Sequence, residues 1–118
     1  MQVQQVSPIL LDAEDIAHLP VRRLRGMEAA PSTLLWRSGE SVSGVMAVEP
    51  GSALSAHRHS GAHHHVWVIE GACTILGRPM GPGSYAHIPA GVEHEILAGP
   101  EGARIFYLFV VSPAASRG

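Results

Sequence analysis

The chain contains no lysine; all eight of its basic residues are arginine. That excludes Schiff-base chemistry and lysine general bases outright. It has a single cysteine, Cys73, so no internal disulfide can form, and a reducing cytoplasmic location is expected. No apolar run is long enough to cross a bilayer. The opening Met-Gln-Val-Gln-Gln-Val-Ser-Pro lacks the basic-then-apolar order of a secretory signal. Charged residues make up only 15% of the chain, and a net charge of −2 gives no general pull toward nucleic acid or an anionic membrane. Long helical periodicity is missing too. What is present is a 118-residue chain, 46% apolar, the size of one domain with much buried sheet or with surface hidden in a dimer.

Histidine is the exception to this sparseness. Five of the eight histidines fall between Gly51 and Gly71. His57 and His59 are two apart, so on an extended backbone both imidazoles leave the same face of a strand. The break Ser60-Gly61-Ala62 is followed by His63-His64-His65 and then Val66-Trp67-Val68-Ile69, a second strand ending at Glu70-Gly71. Two imidazoles on one strand and a third entering its neighbour form the arrangement a borderline transition metal needs. The pattern predicts a metal site built on a sheet.

The rest of the chain reads as strand, turn, strand. Strands are predicted over 33–38 and 41–48 around the turn Gly39-Glu40, then over 53–59, 64–70, 72–76, 84–88, 93–97 and 103–111. The separators are rich in Gly and Pro, as in Gly77-Arg-Pro-Met-Gly-Pro-Gly83 and Gly99-Pro-Glu-Gly102. Many short strands at this spacing predict an all-β sandwich or barrel. Before them, residues 11–19 suggest a helical turn ahead of Pro20, and 21–27 an edge strand with the small basic cluster Arg22, Arg23 and Arg25. Three charges without interleaved aromatics read as a solvated face, not a nucleic-acid footprint. The organisation predicted is an arm over 1–30, a barrel over 31–112 and a disordered tail over 113–118.

Two strings together resemble the cupin superfamily. Gly51, five residues, His57, one residue, His59, four residues, His64, six residues and Gly71 is similar to the first cupin motif. Gly83-Ser-Tyr-Ala-His-Ile-Pro89-Ala-Gly91-Val-Glu-His94 is similar to the second, in its first Gly, its Pro, its second Gly and its final His. Family members most often carry Glu where this chain has His64, and Ala98 stands where an Asn often follows the last ligand. The resemblance spans about 51 to 98. It implies a double-stranded β-helix, the jelly-roll barrel, with one divalent transition ion on His57, His59, His64 and His94. Counting back six residues from Gly71 selects His64, with His63 as the competing third ligand. In strand parity His64 goes with Val66 and Val68, whereas His63 and His65 go with Trp67. His94 goes with Ile96, and Glu93 and Glu95 face outward. The resemblance also implies an N-terminal segment that contacts a second subunit, hence a homodimer.

Four neutral imidazoles suit Fe, Mn, Zn, Ni or Cu and leave the ion's double positive charge uncompensated. Such a centre favours anionic chelating ligands and acidifies bound water. The expected function is a metal-dependent enzyme on a small chelating substrate, dioxygenase first and Lewis-acid cyclase or lyase second. The non-catalytic alternative is a cupin that senses metal or ligand. No inward carboxylate base is evident, so His87, Tyr85 or metal-bound hydroxide would have to move protons. Cys73 reads as a small buried hydrophobe, since no acidic partner completes a nucleophilic triad.

Overall fold

A computed structural model of the chain describes residues 7–23, 28–57 and 61–111, with 55–57 described through their backbone alone. A short helix, α1 (Ala13–Ala17), precedes seven strands. In chain order these are β1 (Ser32–Ser38), β2 (Ser41–Val48), β3 (Ala53–His57), β4 (Ala62–Ile75), β5 (Arg78–Met80), β6 (Tyr85–Ile88) and β7 (His94–Val111). Asp12 starts α1 by accepting the Asp15 backbone N–H at 2.8 Å, while the Asp15 carboxylate accepts from the Asp12 N–H at 3.0 Å. This reciprocal cap satisfies two donors that a one-turn helix would otherwise leave to water.

Every ladder is antiparallel, and the main path runs β1-β2-β7-β4-β5, with β3 joined to β7 and β6 joined to β4. β4 and β7 are long because each serves two layers. The C-terminal half of β7 pairs with β2 and with the start of β4, whose other edge carries β6. The N-terminal part of β7 pairs with β3 and with the end of β4, which carries β5. The β4–β7 ladder shifts register between Val68 and Glu70 and again between Gly71 and Cys73. These bulges are how one strand turns from the first layer into the second. Gly71 is required there: its φ is +73°, and a Cβ at this position would run into the Gly102 carbonyl oxygen.

The core forms where the alternating faces of the two layers meet. Along β4 His64, Val66 and Val68 are buried; along β7 so are His94, Ile96, Ala98, Ile105 and Tyr107. Val66, Ile88, Ile96 and Ile105 are almost wholly removed from water, each worth about 1.5–3 kcal/mol by burial alone. The result is the double-stranded β-helix that the two motifs imply.

Several boundaries differ from the sequence reading. The separate segments 64–70 and 72–76 are one strand, as are 93–97 and 103–111, because the ladder continues through the glycine bulges. The separator 77–83 contains β5, which tolerates Pro79 because among the described residues it pairs with β4 alone. In place of an edge strand over 21–27 the described residues show a single bridge, Arg22 to Ser32, with 24–27 outside the description. Arg23 pairs with Glu49 at 3.2 Å on the surface. The strand expected over 53–59 is described to His57, and the tail over 113–118 lies outside the described residues. Among the described residues no helix is long and apolar enough to cross a membrane.

Candidate metal centre

The sheet sorts the histidines by face. β4 lies between β7 and β6, with His64 opposite Phe109 on one side and Ile88 on the other. His64 and His94 both point into the interior, 6% and 3% exposed. They start 30 residues apart and meet with His64 Nδ1 3.0 Å from His94 Nε2. Their rings are tilted by 50° with centroids 5.0 Å apart.

That nitrogen separation is the relevant test for a metal. Ligand nitrogens each about 2.1 Å from one ion are about 3.0 Å apart at a right angle and about 3.4 Å apart at a tetrahedral angle. A spacing of 3.0 Å fits adjacent positions of a six-coordinate ion. Both rings are also braced. His94 Nδ1–H donates to the Val92 carbonyl at 3.2 Å, which turns Nε2 toward His64. Phe109 stacks on His64 with centroids 4.2 Å apart and planes 15° apart, so the imidazole plane is set by packing. The two residues therefore fit a divalent ion in position and burial, and the proton now shared between His64 Nδ1 and His94 Nε2 would leave as the ion binds.

His57 is placed through its backbone, which pairs directly with His94 across the β3–β7 ladder. Its side chain and the whole of His59 lie outside the described residues. Among the described residues no three His, Cys, Asp or Glu side chains converge on one point.

The other expected residues are on the opposite face of β4. His63 Nδ1 lies 3.1 Å from His87 Nε2, and His65 Nδ1 lies 2.7 Å from the Tyr85 hydroxyl. Parity explains this, since His65 opposes His87 and Trp67 opposes Tyr85, one residue out of phase with His64 and Ile88. The structure thus does not bring the proton-transfer candidates His87 and Tyr85 to the inner pair, and it seats His63 away from it. Partial burial, together with the nearby His87 and His63, pulls the His65 pKa below its ordinary value.

Phe109 and Tyr107 belong to the site's surroundings although no motif marks them. The alternation along 103–111 puts both on the inner face, but which histidine Phe109 would meet depends on the β4–β7 register, which no local pattern carries. Tyr107 packs against Phe109 with centroids 5.8 Å apart and hydrogen-bonds Ser32, and burial raises its pKa. Cys73 is buried as expected, and burial raises its thiol pKa as well.

Comparison with known proteins agrees with this fold. Over 89 residues the chain is 35% identical to dimethylsulfoniopropionate lyase DddW of Ruegeria pomeroyi, covering 73% of this chain and 54% of that one. The chain thus spans about half the length of this curated relative. An RmlC-like cupin from Shewanella frigidimarina superposes with a TM-score of 0.72 at 17% identity, over 82% of this chain and 87% of that one. In the complex of Rhodobacter sphaeroides SigE with the anti-sigma ChrR, the matching chain superposes with a TM-score of 0.68 at 20% identity. That match covers 79% of this chain and 50% of the other. Both superpositions show the shared fold. The model of the ChrR cupin-like domain matches residues 6–112, and the chain belongs to that family of cupins.

Proposed function

We propose that the chain is a metal-dependent lyase acting on a small carboxylate, with one divalent transition ion held by His57, His59, His64 and His94. The observation that carries this is the buried His64–His94 pair with nitrogens at ligand spacing. When bound, the ion supplies a concentrated positive charge that stabilises negative charge on a chelated substrate. The chain's own residues do the rest. Val92 and Phe109 orient the two imidazoles, and the aliphatic walls of Val66, Val68, Ile88 and Ile96 exclude water, which strengthens every charge interaction inside.

The likeness to dimethylsulfoniopropionate lyase DddW moves lyase chemistry ahead of the dioxygenase expected first from the sequence. Elimination from dimethylsulfoniopropionate would pass a proton from the carbon beside the carboxylate to water, while the carbon–sulfur bond breaks with its electron pair to sulfur, giving acrylate and dimethyl sulfide. The test is to load the protein separately with Fe, Mn, Zn, Ni and Cu and supply that substrate. Dimethyl sulfide and acrylate in equal amounts, without dioxygen uptake, are the expected result. Dioxygen uptake with a β-diketone, a catechol or a thiol, and no elimination, would restore the dioxygenase reading.

A second reading is a non-catalytic sensor. It is favoured by the family match, since ChrR in the solved complex is an anti-sigma protein. No turnover with any of these compounds, together with a stable protein partner, would support it. The homodimer expected from the motifs belongs to the same proposal. Exposed Ile9, Leu10 and Val21 on the N-terminal arm supply the apolar surface for it, and sedimentation of the full chain reads it directly. The single buried thiol suits a reducing cytoplasm, where we place the chain.

A further inference from the structure

We propose a second transition-metal site on the outer face of the sheet, with His63 and His87 as its paired ligands and His65 as the third. It uses none of the inner ligands and does not depend on the reaction proposed above. His65 and His87 are direct cross-strand partners of β4 and β6, and His63 is the next residue of β4 on that face. Cross-strand and diagonal neighbours of this kind have Cβ atoms roughly 5–8 Å apart, within reach of a common ion.

The side chains already approach that arrangement. His63 Nδ1 and His87 Nε2 are 3.1 Å apart, again the spacing of adjacent ligands on one ion. Their rings are stacked within 20°. The His65 ring lies parallel to His87 within 23° at 4.9 Å, and its Nδ1 is tied to the Tyr85 hydroxyl at 2.7 Å. The three rings do not yet converge on one point, so the third ligand joins by rotation of the His65 ring. That motion gives up the present Tyr85 hydrogen bond, which metal ligation replaces, and the rings have room for it because His63, His65 and His87 are not buried. Three imidazoles and no carboxylate select borderline cations such as Cu(II), Ni(II) or Zn(II) over Mg(II) or Ca(II).

The experiment is metal stoichiometry on the full chain without a polyhistidine tag, by Cu(II) and Zn(II) titration calorimetry with inductively coupled plasma analysis. Two ions per wild-type chain are expected, falling to one in the double variant His63→Ala/His87→Ala. The inner double variant His64→Ala/His94→Ala should retain the outer ion. His65→Ala should weaken the outer ion without removing it, and the Cu(II) electron paramagnetic resonance spectrum should lose one of two nitrogen-coupled signals in the outer variant. Because neither His63 nor His87 is buried, circular dichroism should show that variant folded. A single ion lost only in the outer variant would uphold the outer site and sink the inner one. A stoichiometry unchanged by the outer substitutions, or a single ion lost only in the inner variant, would overturn the outer site.

Discussion

At the scale of the residue, the centre is a matter of two imidazoles and what steadies them. His94 is oriented by the Val92 carbonyl and His64 by the face of Phe109. Removing either ring takes away one of the two nitrogens at ligand spacing, so His64→Ala and His94→Ala should each lower metal affinity by about ten- to a hundredfold or more. His64→Glu should retain the ion while lowering the net charge of the centre, because a carboxylate oxygen also ligates borderline metals. Metal content after dialysis checks all three. Elsewhere in the core, Cys73 and Tyr107 are buried acids whose pKa values are raised on folding. A raised folded pKa contributes stability that is intact at neutral pH and lost as pH rises past the ordinary thiol value of 9.0. Chemical denaturation midpoints should therefore fall above that pH, and Cys73→Ala should flatten the first part of the fall. Equal alkaline sensitivity in both proteins would assign the loss to Tyr107.

At the scale of the element, β4 carries both histidine sets by parity alone. The alternation of the sequence alone puts His64 with Val66 and Val68 on one side, and His63 and His65 with Trp67 on the other. What could not be read is which partner each face would meet. The pairing of His65 with His87, and of His64 with Phe109, is set by ladder register over separations of 22 and 45 residues, and nothing local encodes it. The glycines misled for a related reason. Gly71 looked like the end of a strand, yet it is the place where a continuous strand changes layer. Gly71→Ala places a Cβ at positive φ against the Gly102 carbonyl, and should cost about 2 kcal/mol or more. Its melting temperature should drop by several degrees, whereas Gly77→Ala, also at positive φ but with open space around the added Cβ, should lose less.

At the scale of the whole molecule, two antiparallel layers sharing β4 and β7 bring His64 and His94, 30 residues apart in the chain, together in the interior. The fold was legible from the spacing of the two histidine motifs and the Gly and Pro punctuation between short strands. The reaction was not, because substrate choice depends on how the two layers close over the pair. The most direct measurement is anomalous diffraction from crystals of the metal-loaded chain, collected on either side of the metal absorption edge. A single interior peak about 2.1 Å from His64 Nδ1 and His94 Nε2, also bound by His57 and His59, is the expected result. Metal-loaded crystals with no peak between His64 and His94 would contradict it.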